Sequence, residues 1–113
     1  MNGKYTPPPV YPVLGDYIVI EPFAALTDYS ASSGSYYEEA PTVAKKPGYA
    51  LIGISGFNCK ASETSGSNPD RMSFFRMAYE IGEGSTDTIR IGFRANAAGK
   101  VDVTVDLMYF KTT

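Results

Sequence analysis

The residue types in this chain exclude most catalytic chemistry. The sequence contains no histidine and one cysteine, Cys59. Ser-His-Asp and Cys-His nucleophile systems and ordinary zinc sites therefore cannot be built from it. Without a histidine to activate its thiol, Cys59 is expected to be a small buried hydrophobe. We expect no enzymatic activity, no metal and no cofactor.

Carboxylates leave one route to hydrolysis, because a glycosidase needs two of them facing each other across a cleft. Candidates are Glu38, Glu39, Glu63, Asp70, Glu80 and Glu83. No spacing singles out a pair. Residues 67–70 with Glu63 could offer oxygen ligands to calcium, but they lack the alternating acidic run of a calcium loop, and an Asx-Pro turn is the simpler interpretation.

Aromatic and polar residues of the longer loops are better suited to binding. Flat tyrosine faces, with arginine, asparagine and aspartate groups, can stack on and hydrogen-bond a glycan or a protein epitope. For each tyrosine, packing inside a loop or at a subunit contact is an equal alternative. The candidate ligand-binding residues are Tyr29, Tyr36, Tyr37, Asn68, Asp70, Arg71, Arg94 and Asn96.

Length and composition indicate one domain. A chain of 113 residues with 43% hydrophobic residues can bury one core. Its net charge of -2 provides no basic field for nucleic acid. No apolar run is long enough to span a bilayer, and the N-terminus lacks the apolar centre of a secretory signal. We expect a soluble protein with no signal peptide, no membrane insertion and no nucleic-acid partner.

The elements that must carry these residues are predicted to be antiparallel strands. Residues 101–109 alternate apolar and polar side chains, as do residues 88–94, and the turn-forming residues between them predict a hairpin. Residues 72–81 are predicted as a strand rather than a helix, because aromatic side chains are frequent there. Residues 49–57 are apolar at both odd and even positions, so both faces of the strand would be apolar, which predicts a buried central strand.

Prolines define the remaining segments. Pro22 predicts a bulge or an edge position for the strand at residues 17–24. Pro41 predicts that residues 37–45 form an irregular edge strand. Residues 1–15 contain four prolines and are predicted as an extended arm, with a β domain over residues 16–113. If the strands alternate in direction, the three long loops share one end, and the tight turns and both termini share the other.

A second residue set could be a solvated face, but its composition favours a subunit interface. Strand alternation places these side chains opposite the apolar faces, and arginine, methionine and aromatic residues are enriched at interfaces. A small core without a disulfide also gains stability from association. The set is Phe74, Arg76, Arg90, Met108 and Phe110.

Residues 44–113 resemble the small C-terminal receptor-binding modules of bacteriophage and prophage tail fibres. The resemblance is carried by KKPGYALIGISGFNC, the aromatic strand SFFRMAYEI and the closing segment TIRIGFRANAAGKVDVTVDLMYFK. It implies a jelly-roll-like antiparallel β-sandwich of about six to eight strands, assembled as a homotrimer on a virion appendage and often recognising host carbohydrate. It implies no fixed ligand residues.

Two functions follow as hypotheses. The first is a trimeric host-recognition module that binds a surface or cell-wall glycan through its loops. The second is a purely structural virion protein, such as a head fibre, decoration or baseplate component, that docks to other virion proteins through its N-terminal arm. A hydrolase acting on the same polymer is a distant third.

Overall fold

The computed structural model describes residues 17–62 and 72–113, which form seven strands and contain no helix. The strands are β1 (Ile18–Ala31), β2 (Tyr36–Glu39), β3 (Thr42–Ala44), β4 (Tyr49–Ala61), β5 (Met72–Glu80), β6 (Thr86–Ala95) and β7 (Gly99–Lys111). The predicted arm at residues 1–15 lies outside the described residues, as do Asn68, Asp70, Arg71 and the calcium candidate at residues 63–70.

The strands form two antiparallel sheets. The first has the order β1-β7-β4. In the second, β6 is central, with β5 on one side and β2 and β3 on the other. The Pro41 carbonyl accepts a hydrogen bond from the Ile89 N–H (2.9 Å) between β2 and β3, so these two strands continue one another along β6. The prediction of an irregular edge strand at residues 37–45 is therefore confirmed.

Consecutive strands alternate between the sheets, except for β2–β3 and β5–β6. This winding is that of a jelly roll, and the prediction of an all-β antiparallel sandwich is confirmed. The strand predicted at residues 17–24 continues to Ala31, because register shifts after Ala24 and after Leu26 let β1 follow β7 over its whole length. β1 is an edge strand, as Pro22 required.

Two predictions about strand pairing were wrong. β6 and β7 do not form a hairpin: β7 pairs with β1 and β4, whereas β6 pairs with β2, β3 and β5. Alternation shows which face of a strand is buried but not which strand lies beside it. β4 is an edge strand rather than a central one. The β4–β7 pairing has two register shifts, at Leu51/Gly53 and Ile54/Gly56. Each shift changes which residues of β4 face the core, so apolar residues at both odd and even positions are accommodated.

The core lies between the two central strands. Its largest fully buried side chains are Ile89, Ile91 and Phe93 on β6 and Val101, Val103, Val105 and Leu107 on β7. The alternation predicted for residues 101–109 is therefore confirmed. Complete burial of a side chain of this kind contributes about 1.5–3 kcal/mol, so these seven side chains are a large contribution to stability.

Loops and termini lie at the ends that strand alternation predicted. At one end, called the loop end, the Gly34 N–H donates to the Ala95 carbonyl (2.6 Å), and Met72 pairs with Ala95. The last residues of β4 pair with the first residues of β7 at this end. At the opposite end, called the tether end, the Lys111 N–H donates to the Tyr17 carbonyl (2.7 Å). The described residues therefore begin and end at the end opposite the β1–β2 and β6–β7 loops.

Candidate functional site

Tyr29 and Tyr37 belong to the core rather than to a ligand surface. The Tyr29 ring packs edge-on against Tyr37 (centroids 5.4 Å apart) and Phe93 (5.8 Å), and Tyr37 stacks on Phe93 (5.3 Å). These contacts correspond to the packing alternative for the loop tyrosines. Through these contacts, Tyr29 and Tyr37 hold the two sheets together near the loop end.

The hydroxyl groups of these tyrosines are engaged inside the protein. The Tyr29 hydroxyl donates to the Glu39 carboxylate, and burial together with this neighbouring carboxylate raises the pKa of Tyr29. The Tyr37 hydroxyl accepts a hydrogen bond from the Ser32 N–H (2.6 Å), which lowers the pKa of Tyr37. The first bond links β1 to the last residue of β2, and the second holds the first residue of the short β1–β2 loop.

An exposed aromatic pair lies on the outer face of the β2-β3-β6-β5 sheet. Tyr36 on β2 is 70% exposed and Phe75 on β5 is 56% exposed. Their ring centroids are 6.2 Å apart with an interplanar angle of 54°. We call Tyr36 and Phe75 the aromatic platform. Two large rings this open to solvent and in contact with each other are a suitable surface for a flat, partly apolar ligand.

Phe75 reaches the outer face because β5 bulges between Phe74 and Arg76. The bulge turns Phe74 inward, where its ring lies 4.9 Å from Phe57 and 5.3 Å from Phe93. Phe74 was predicted on the outer face as an interface residue, and that placement was wrong because regular alternation was extended across the bulge. The same regular alternation places Phe75 on the inward face, with Met77 and Tyr79. The adjacent Phe-Phe pair was the only signal that one of the two rings had to face solvent.

Gly92 on β6 makes room for the Phe75 ring. A Cβ atom at Gly92 would lie 2.5 Å from Phe75 Cε2 and 3.0 Å from the Arg76 Cβ. Real Cβ atoms essentially never lie as close to another atom as 2.5 Å, so a side chain at this position would force the Phe75 ring to move. The absence of a side chain at Gly92 therefore allows the ring to lie across the central strand toward Tyr36.

Arg94 lies beside the platform. It pairs with Tyr36 on one side and with Ser73 on the other, and its guanidinium Cζ lies 5.6 Å from the Tyr36 ring centroid. Asn96 has a bracing role instead. Its amide donates to the Ser73 hydroxyl (3.4 Å), and its backbone carbonyl accepts from the Ser33 hydroxyl (3.3 Å). Of the described ligand-binding candidates, only Tyr36 and Arg94 are thus brought together on one open surface.

Two predicted interface residues share this outer face. Arg76 lies 3.5 Å from the Glu38 carboxylate above Gly92. Arg90 binds Glu80 through two hydrogen bonds of 2.5 and 3.0 Å. The Arg90–Glu80 hydrogen bonds lower the pKa of Glu80 and raise the pKa of Arg90. Both pairs are solvent-exposed, so each contributes little to stability.

The other predicted interface residues, Met108 and Phe110, lie on the outer face of the β1-β7-β4 sheet. Phe110 is 43% exposed and stacks on Tyr17 (centroids 6.2 Å apart, interplanar angle 21°). Ile20, 46% exposed, pairs with Met108, and Ile18 pairs with Phe110. We call Tyr17, Ile18, Ile20, Met108 and Phe110 the apolar face. The predicted interface set is thus divided between opposite faces of the sandwich and the core.

Cys59 lies partly buried opposite Val103, and burial raises the pKa of its thiol. Within residues 17–62 and 72–113, no group of three or more His, Cys, Asp or Glu side chains is placed to hold a metal ion. The same residues include no helix long and apolar enough to cross a membrane.

Comparisons with known proteins give no relative from which a role could be transferred. No protein-family model, no curated protein and no solved structure matches this chain. Functional inference therefore rests on the geometry of the two outer faces.

Proposed function

We propose that this protein is a bacteriophage virion appendage module that recognises a carbohydrate on the host cell surface. The observation that carries the proposal is the aromatic platform of Tyr36 and Phe75, with Arg94 beside it. The resemblance of residues 44–113 to tail-fibre tip modules supports the virion assignment.

The platform has the chemistry that sugar binding requires. One face of a pyranose carries mainly C–H groups, which pack on aromatic rings, while its hydroxyl groups accept and donate hydrogen bonds at the edge. Tyr36 and Phe75 offer the rings, and Arg94 and Ser73 on neighbouring strands offer polar groups. The platform is built on paired strands, which reduces the entropy lost when a ligand binds.

The position of the platform also supports recognition. Tyr36 is the first residue of β2, next to the loop end, whereas Tyr17 and Lys111 lie at the tether end. A module attached through either end of its described chain would present the platform away from the attachment point. Binding sites on β scaffolds commonly lie near the loops at one end.

Association into a homotrimer is part of the proposal, and the apolar face is the surface we assign to it. Exposed Tyr17, Ile20 and Phe110 form a contiguous apolar area on a sheet. Such areas on small proteins mark contacts with other chains. A second copy of this chain is the occupant that tail-fibre modules imply.

A structural role is the second candidate function, and one observation favours it. The apolar face includes Tyr17, the first described residue, which lies at the tether end. A virion protein that docks by its arm and this face, with nothing bound at the platform, would present the same surface.

A binding screen separates the two candidates. Purified protein is tested against host glycans and cell-wall fragments, together with Tyr36→Ala, Phe75→Ala and the control Ile81→Ala, an exposed residue outside both the platform and the apolar face. Recognition at the platform predicts binding to a defined saccharide that falls at least tenfold in the first two variants and is retained in the control. Absence of saccharide binding by the wild-type protein, or equal loss in all three variants, would overturn the proposal.

A further inference from the structure

Arg94 differs from Arg76 and Arg90 in having no acidic partner within residues 17–62 and 72–113. Arg76 is paired with Glu38 and Arg90 with Glu80, and Lys45 and Lys46 lie 2.8 and 2.7 Å from Asp87 and Glu21. The recorded contact of the Arg94 guanidinium is the ring face of Tyr36. In the described part of the chain, Arg94 is therefore the arginine whose donors remain available.

The neighbours of Arg94 leave its N–H donors available to a ligand. Glu38 is the carboxylate on the same face of β2 as Tyr36, and Arg76 occupies it at 3.5 Å across Gly92. On the other flank the paired residue is Ser73, a neutral hydroxyl. A guanidinium held over an aromatic ring keeps its N–H groups free at the edge, because the ring contacts only its face.

We propose that Arg94 makes the platform selective for an anionic saccharide, one whose carboxylate or phosphate group lies beside the sugar ring stacked on Tyr36 and Phe75. The inference rests on the proposed carbohydrate recognition and specifies its ligand class. A planar guanidinium presents paired N–H donors that match the two oxygens of a carboxylate or phosphate. Such charge-assisted bonds contribute more than neutral ones, so the acidic group rather than the sugar ring would dominate selectivity.

The test uses matched acidic and neutral ligands. The probes form two matched pairs: oligogalacturonate with its full methyl ester, and galactose 6-phosphate with free galactose. Dissociation constants are measured by calorimetry for the wild-type protein, Arg94→Gln, Arg94→Lys and the control Arg90→Gln. Arg90 lies on the same outer face but is paired with Glu80 and does not contact the platform rings.

The expected result is at least tenfold tighter wild-type binding to an acidic probe than to the neutral probes, which corresponds to about 1.4 kcal/mol. Arg94→Gln should remove this preference, Arg94→Lys should retain part of it because the charge remains, and Arg90→Gln should retain all of it. Preference for oligogalacturonate over its methyl ester identifies the carboxylate as the recognised group. Preference for galactose 6-phosphate over galactose identifies the phosphate.

Several results would overturn the inference. Equal wild-type affinity for acidic and neutral probes would do so, as would a preference that survives in Arg94→Gln. If a neutral probe binds and Tyr36→Ala abolishes that binding, the proposed function stands while the selectivity of Arg94 is rejected. If none of these probes or the host fragments binds, both the proposed function and the selectivity fail.

Discussion

At the scale of single residues, burial decides what each tyrosine contributes. Burial raises the pKa of Tyr29 and of Tyr109, and the Glu39 carboxylate raises that of Tyr29 further. Tyr36, with 70% of its surface exposed, has its ring available for a ligand instead. Tyr37, the next residue on β2, stacks on Phe93, so neighbouring tyrosines of one strand belong to the core and to the platform.

These pKa differences predict a loss of stability at alkaline pH. An unfolded tyrosine ionises near pH 10, and folded Tyr29 ionises at a higher pH. Above pH 10 the unfolded chain therefore binds fewer protons than the folded one, and the free energy of unfolding falls as the pH rises. Tyr29→Phe should flatten this fall, measured by urea unfolding at several pH values between about 9 and 11.5.

Tyr37→Phe is the control of opposite sign. The pKa of Tyr37 is lowered in the folded protein by the Ser32 N–H, so its ionisation favours the folded state as the pH approaches 10. Removing that hydroxyl should make the alkaline loss of stability steeper. Identical pH slopes for the wild-type protein and both variants would contradict the assigned hydroxyl environments.

At the scale of elements, the middle of β6 sets the form of the candidate site. Gly92 pairs with Glu38 on β2 and with Arg76 on β5, and the Phe75 ring lies over it. Side chains from the two flanking strands can meet above the central strand because Gly92 has none of its own. The ion pair and the platform therefore depend on the same position.

Gly92→Ala tests this arrangement. The new methyl group would displace the Phe75 ring, and overpacking of this kind typically costs about 1–3 kcal/mol. Saccharide binding at the platform should fall together with the free energy of unfolding, measured by urea denaturation and calorimetry.

Gly53→Ala on β4 is the matched control, because a Cβ atom there meets nothing within 4 Å. We expect its stability and binding to stay close to those of the wild-type protein. Equal effects of the two substitutions would mean that the contact between Gly92 and Phe75 does not shape the platform.

At the scale of the whole molecule, the two outer faces have different chemistry. One carries the platform and exposed ion pairs, and the other carries the apolar face. If opposite faces of a sandwich contacted each other, they would build an open stack rather than a closed ring. The predicted interface residues on the two faces therefore cannot all serve one closed trimer, which is why we assign association to the apolar face.

Phe110→Lys tests that assignment. A charge in the middle of a buried apolar contact is costly, so the variant should fall from a trimer to the mass of one 12.2 kDa chain in light scattering. Phe75→Lys is the matched control, since it places the same charge on an exposed phenylalanine of the opposite face, and it should remain trimeric. A monomeric wild-type protein, or dissociation caused by Phe75→Lys alone, would contradict the assignment.

The sequence by itself determined the strand class, the buried residues of β7 and the edge positions of Pro22 and Pro41. These features are local: side chains alternate with a period of two, and proline lacks the N–H that an interior strand must donate. Strand alternation also predicted correctly that the β1–β2 and β6–β7 loops share an end. Tyr36 and Arg94 were identified as candidate ligand residues from their chemistry alone.

Only the tertiary structure decided which strands are neighbours and which face each aromatic side chain occupies. The pairing of β7 with β1 and β4 joins residues far apart in sequence, and no local pattern encodes it. One bulge in β5 exchanged the faces of Phe74 and Phe75, because each extra residue reverses a period of two. The platform depends on three features of the tertiary structure: the bulge in β5, the absence of a side chain at Gly92, and the pairing of β2 with β6, which places Tyr36 beside Phe75.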